Sequence, residues 1–214
     1  MTAIRPEARV LAGNVIRLEP LTRADLPELF SALNDPRVYA GGYWGGPAGY
    51  RDTLESFVEF ASSEFTFDRN LVYGVRLLSG ELVGTSTLGD FDEVREHAHI
   101  GWTAYHPSVW GGPVNVESKL MLLGLAFDHG YGRVKLQADS LNLRSRAAIL
   151  KLGARFEGII RRDMLRPDGL WRDTAVHSIL IDEWPDVRAS LERRLAAFEG
   201  TTVTFDAAAG PAEE

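Results

Sequence analysis

Gly111 and Gly112 stand side by side in the stretch Trp110-Gly111-Gly112-Pro113-Val114-Asn115, directly ahead of a segment with helical periodicity. Adjacent glycines let a backbone come close to a ligand. A helix N-terminus adds unpaired N–H groups and the positive end of the helix dipole, which together suit a phosphate or another anion. The competing reading is a glycine turn that merely opens a helix. Residues 133–172 carry ten Lys/Arg against four Asp/Glu, a local +6, whereas residues 1–100 carry nine against fifteen. One segment of an otherwise acidic chain is thus suited to an anionic ligand, although solvated basic strand residues would give the same count. With no cysteine, the chain has no disulfide, thiolate metal ligand or cysteine nucleophile, so thiol chemistry must come from a cofactor. Its five histidines are left as candidate metal or acid-base residues. No HExxH, histidine pair at helical spacing or carboxylate cluster points to a metal, and none is expected.

These residues are positioned by a regular succession of elements. Asn14 to Glu19 alternates as a strand, and Thr22 to Leu33 reads as a helix with Thr22 as N-cap and Asp25 three positions on. Asn34 to Tyr50 holds five glycines, two prolines, three tyrosines and Trp44, which predicts an aromatic-rich loop. A helix over Arg51 to Ser62 follows. Leu71 to Leu78 and Leu82 to Asp90 read as strands at hairpin spacing, and Ala98 to Tyr105 as a strand carrying His99 and ended by His106-Pro107. Val116, Leu120, Leu123 and Phe127 mark the apolar stripe of a helix that stops at Gly130 and Gly132, with Asn115 as its cap. Arg133 to Asp139 alternates as a strand. Asn142 then offers an N-cap for a short helix closed by Gly153. Phe156 to Leu165 and Leu170 to Ile181 flank the turn Pro167-Asp168-Gly169, and a last helix spans Asp186 to Phe198. Antiparallel runs broken by helices predict an α/β domain with a sheet of mixed direction. Residues 1–13 form an N-terminal extension, 14–199 the domain, and 200–214 a small, polar tail expected to be disordered.

Two stretches carry a resemblance. Ile100 to Glu117, where a strand and His106-Pro107 lead into the Trp110-Gly111 loop, and Leu141 to Glu157, with Asn142-Leu143-Arg144-Ser145, Leu152-Gly153-Ala154 and Phe156-Glu157-Gly158, resemble the signatures of the GNAT acyltransferases, in particular the Rim-type ribosomal-protein acetyltransferases. Their separation of about thirty residues and the flanking elements fit as well, over roughly residues 14–184. The resemblance implies a GNAT fold, a mostly antiparallel central sheet with splayed fourth and fifth strands, and acetyl-CoA as co-substrate. It implies coenzyme A contacts at Trp102, Thr103, Trp110, Gly111, Gly112, Asn115, Val116, Asn142, Arg144 and Lys151. Ser145 would sit near the sulfur and protonate the departing thiolate, or else serve only the helix start. Three departures stand out: Trp110 replaces the family's basic or amide residue, Pro113 its middle glycine and Asn115 its last one. The family's late carboxylate falls on Met164, with Asp163 adjacent on the opposite face. His99, on the fourth strand, is therefore the candidate base, the alternative being an ordinary strand histidine. Tyr39, Tyr43, Trp44, Phe91 and Trp102 would line an acceptor pocket, or simply pack.

The implied activity is transfer of an acetyl or other short acyl group to a primary amine of a small molecule, peptide or protein N-terminus. A non-catalytic acyl-CoA-binding module is the alternative. At 214 residues, 45% hydrophobic, the chain is the size of one domain. Its net charge of -7 argues against direct nucleic-acid binding. No apolar run reaches membrane length and no secretory signal opens the chain, so a cytoplasmic location is expected. A homodimer remains open.

Overall fold

The computed structural model describes residues 3–206. Eight strands form one sheet: β1 (Leu11–Ala12), β2 (Ile16–Pro20), β3 (Leu71–Leu77), β4 (Leu82–Asp92), β5 (His97–Tyr105), β6 (Arg133–Asp139), β7 (Arg155–Leu165) and β8 (Trp171–Leu180). Their spatial order is β1-β2-β3-β4-β5-β6-β8-β7. The β5–β6 pair is parallel and its neighbours on either side are antiparallel. The sheet is therefore mixed and mostly antiparallel, as the alternating runs predict.

Helices α1 (Leu26–Leu33), α2 (Pro36–Ala40) and α3 (Leu54–Glu64) cover one face, where Leu26, Leu29, Phe57 and Trp44 form a core with Ala104 of β5. The other face is covered by α4 (Val114–Asp128), α5 (Leu143–Lys151) and α6 (Trp184–Ala196), whose core includes Leu122, Leu123, Ile149 and Leu191 with Ala98 and Ile100 of β5. Ala98 and Ile100 share parity with Ala104 yet face the opposite layer, so the alternation of β5 reverses across Trp102, where its register against β4 slips.

Several boundaries differ from the sequence expectation for identifiable reasons. Thr22 and Asp25 do make their reciprocal pair, with Thr22 N–H donating to Asp25 Oδ2 over 2.8 Å, but it closes a 3-10 turn at Arg23–Asp25 that precedes α1. The glycine-rich loop contains α2, which begins at Pro36 under an Asp35 cap. The next helix starts at Leu54 rather than Arg51, because Thr53 accepts from Ser56 N–H as the cap. Asn115 does not cap α4. Pro113 does, its carbonyl accepting from Glu117 N–H at 2.9 Å.

The N-terminal extension is packed against the domain, with Ala3 buried and Ile4 N–H bonded to the His129 carbonyl at 2.9 Å. Val203 and Phe205 of the C-terminal segment also pack on the core. The remainder of the expected tail, residues 207–214, lies outside the described residues. Among the described residues no helix is long and apolar enough to cross a membrane.

Candidate active site

The pairing of β5 with β6 stops at Ile100↔Leu136. Past that point β6 stays with β8 while β5 bends away. The bend has a local cause: the register against β4 slips between Thr85 and Thr87, and Trp102 takes a left-handed φ of 46°, as one strand gains an extra residue. The two strands open into a V, and a cavity of about 640 Å³ occupies the opening. Past Ile100 the edge of β5 toward β6 has no strand partner, and the Gly101 and Tyr105 carbonyls there accept from the Thr103 hydroxyl and the Trp110 indole.

At one end of the cavity lie the glycine loop and the start of α4. Gly111 has φ +74°, a conformation that favours glycine. A Cβ there would meet nothing within 4 Å, and one on Gly112 only the Val109 carbonyl at 3.5 Å, so both glycines face open space. Because Pro113 is the cap, its missing N–H falls before the helix proper, and the first amides of α4, Val114 to Val116, remain without intrahelical acceptors. Trp110 is fixed by an indole hydrogen bond to the Tyr105 carbonyl at 2.9 Å, and the Arg144 guanidinium stacks 3.7 Å above its ring. A cation from α5 therefore stands at the position where Trp110 replaces a basic residue.

Across the opening, Asn142 caps α5 by accepting from Ser145 N–H at 2.9 Å. That bond uses the Ser145 amide, and its side chain lines the cavity. A Cβ on Gly42 would lie 3.2 Å from Asn142 Nδ2, so the loop after α2 closes tightly on the start of α5.

His99 is 3% exposed. Its Nδ1 lies 2.8 Å from Asp90 Oδ2, and Lys135 Nζ is 3.7 Å from the same oxygen. Burial lowers the His99 pKa below its ordinary value against the opposing pull of Asp90. The hydrogen bond with His99 is the main cause holding the Asp90 carboxyl below its usual range. The buried ring and half-exposed carboxylate are consistent with a neutral imidazole donating from Nδ1–H to an ionised Asp90. The other nitrogen, Nε2, is buried without a partner and lies over Gly101, where an added Cβ would come within 2.8 Å.

The structure brings His99, Trp102, Thr103, Trp110, Gly111, Asn115, Asn142, Arg144, Ser145, Tyr43 and Trp44 to this one cavity. Gly112 flanks it in the same loop. Val116 contributes an amide at the helix start, but its side chain is core. Lys151 ends α5 on the surface, its carbonyl bonded to Arg194 Nη1 at 2.6 Å. Phe91 is elsewhere: its ring packs on Tyr131 and under Arg5, where β4 leaves the splay. Tyr39 is also core, packed on Tyr43 and Tyr50. Trp44 is 9% exposed and stacked on Tyr43 at 4.8 Å, so it both packs and lines. Met164 lines the cavity whereas Asp163 does not.

Three charged residues escape a reading of the sequence. Asp90 holds the His99 ring. Glu64, at the end of α3, lines the cavity with its pKa raised by burial. Lys119 lies in the second turn of α4, buried and lining the cavity. Among the described residues no group of His, Asp and Glu could hold a metal ion.

The profile of the acetyltransferase (GNAT) domain matches residues 16–155. The fold is similar to a GCN5-related N-acetyltransferase from Brucella melitensis, at 30% identity and TM-score 0.79, covering 91% of this chain and 88% of that one. It is likewise similar to a protein from T. thermophilus assigned as an acetyltransferase, at 31% identity, TM-score 0.80 and coverage of 90% and 100%. Mycobacterium smegmatis RimJ in complex with CoA-disulfide aligns at 25% identity and TM-score 0.62 over 88% and 91% of the chains. No curated protein matches.

Proposed function

We propose that this chain, which belongs to the acetyltransferase (GNAT) family, transfers a short acyl group from coenzyme A directly to a primary amine of a small molecule, peptide or protein N-terminus. Family membership carries acyl transfer from acyl-CoA. The observation that carries it is the V between β5 and β6 past Ile100, lined by candidate donor-binding, acid and base groups. The likeness to RimJ supports a Rim-type affinity, and the -7 charge favours a small or peptide amine over one embedded in RNA. We place the enzyme in the cytoplasm.

Acyl-coenzyme A, when bound, supplies an acyl group activated as a thioester. The loop at Gly111 and Gly112 and the first amides of α4 receive the pyrophosphate, with Arg144 adding charge over Trp110. Unpaired amides on the bulged part of β5 face the thioester carbonyl. His99 Nε2 takes the proton from the attacking ammonium-derived amine, and Glu64 offers the amine a negative wall before attack. As the nitrogen–carbon bond forms and the carbon–sulfur bond breaks, Ser145 Oγ donates to the leaving sulfur.

Gly112→Glu is expected to cut acetyl-CoA affinity at least about tenfold, since a carboxylate would stand where the phosphates bind. Calorimetry on the folded variant checks this, and parental affinity would place the donor elsewhere. Ser145→Ala should leave that affinity nearly unchanged while lowering turnover about tenfold to a hundredfold, because its hydrogen bond matters chiefly as charge develops on sulfur. Thiol release measured with an amine panel reads both the activity and this loss. Tight donor binding with no thiol release for any amine would favour a non-catalytic acyl-CoA-binding module.

A further inference from the structure

Lys119 has no role in the chemistry above, yet it is the most unusual charge in the cavity. Its Nζ donates to Thr103 Oγ1 at 2.6 Å and Ser86 Oγ at 2.8 Å. Those hydroxyls lie 2.8 Å from each other, and Thr103 Oγ1 donates on to the Gly101 carbonyl at 3.3 Å. The chain of donors ends on a carbonyl, so an ammonium satisfies every partner in it, and one of its three N–H groups is left over. No carboxylate among the described residues pairs with it. Glu117, the nearest acid along α4, is committed to the amides of Asn14, Val15 and Ile16. An isolated buried cation is costly, and burial brings the Lys119 pKa down to about 7.

Its position narrows what could relieve that cost. Ser86 and Thr103 turn toward α4, whereas His99 packs on Trp102, which belongs to the layer of Tyr43 and Trp44, where the acceptor is read to enter. An anion reaching Lys119 therefore belongs to the donor side of the sheet. The phosphates are held at the start of α4, one turn earlier. What remains is the acyl chain itself.

We infer that Lys119 forms a subsite for a carboxylate at the far end of the acyl group, making a dicarboxylic acyl-CoA such as a succinyl thioester the preferred donor. This rests on the reading of the cavity as an acyl-CoA site. The carboxylate would accept the spare N–H and supply the countercharge that the protein omits.

Calorimetry with coenzyme A, acetyl-CoA and succinyl-CoA tests it. The parent should bind succinyl-CoA about tenfold tighter than acetyl-CoA, Lys119→Met should reduce that ratio to within about twofold, and Lys119→Arg should keep it. Free coenzyme A should bind all three proteins alike. At pH 8 the parent should also take up more protons with succinyl-CoA than with acetyl-CoA, seen as a dependence of the enthalpy on buffer ionisation, because the ligand's anion raises the Lys119 pKa. His99, on the opposite side of β5, is held below its ordinary pKa mainly by burial and is neutral at that pH. Equal affinities in the parent, a ratio unchanged in Lys119→Met, or equal proton uptake overturns the inference while leaving the acyl-CoA site intact. If Lys119→Met does not fold, the parent's ratio and proton uptake still decide. Absence of binding by all three ligands removes both readings together.

Discussion

His99→Ala is expected to lower turnover by about a hundredfold to a thousandfold while leaving acetyl-CoA binding within about twofold of the parent. An α-amino group with a pKa near 8 is mostly protonated at neutral pH, and the nitrogen must lose a proton to form an amide. Of the two ring nitrogens, Nδ1 is taken by Asp90 at 2.8 Å, and Nε2 is buried with no partner. An orphaned buried acceptor costs about 1–3 kcal/mol, a cost that a substrate N–H would relieve.

The sign of the pH dependence follows from the competing causes. Burial lowers the His99 pKa and outweighs Asp90, which raises it. A base works when neutral, so the parent's rate should climb through a midpoint below the usual histidine value of about 6.5 and then level in that limb. His99→Ala should lose this limb and follow the amine's own ionisation. Asp90→Asn withdraws the anion that raises the pKa, so its limb should move to still lower pH, with a smaller loss of rate because the ring is less well held. Asp90 thereby acts as a positioning residue. A His99→Ala profile matching the parent's, with only acceptor affinity reduced, assigns His99 to the pocket and the proton to water.

The linear order of residues makes some of this visible and hides the rest. The glycine pair before α4 and the Asn142 cap are short-range features, and short-range physics decides them. The alternation of β6 survives because its two faces meet different layers. The Asp90–His99 pair is nine residues apart and depends on a register shift between Gly89 and Asp92 and on φ +48° at Asp90. No spacing rule predicts a bulge. A stripe of every third or fourth residue is too narrow for α4 for a similar reason. A period of 3.6 assumes one wet face, but Glu117, Ser118 and Lys119 are all buried beside the apolar positions, since β2 and β5 cover that flank. In the sequence Lys119 is therefore indistinguishable from a solvated lysine. Phe91 shows the opposite limit: aromatic character says that a ring will pack, and only the path of β4 says that it packs on Tyr131.

Glu117→Ala should destabilise the fold by roughly 3–5 kcal/mol, the sum of two or three lost charge-assisted bonds. The carboxylate accepts from the amides of Asn14 at 2.7 Å, Val15 at 2.9 Å and Ile16 at 2.8 Å. It thereby pins the start of β2 to the first turn of α4 across about a hundred residues of chain. The approach is so close that a Cβ on Gly13 would fall 2.4 Å from Glu117 Cδ, so the glycine and the glutamate form one unit. Removing the side chain leaves the Ile16 amide, in a fully buried residue, without an acceptor. The other two amides lie nearer the surface and can recover water, which caps the cost. For a chain of this size the loss corresponds to about 10 °C in Tm. Gly13→Ala should also destabilise, by pushing the carboxylate off its amides. Because both changes break the same contact, Gly13→Ala added to Glu117→Ala should cost clearly less than the two separate losses combined. Additive losses in thermal or urea unfolding would mean that the two residues act independently. A Glu117→Ala protein as stable as the parent would show that the three bonds contribute nothing net.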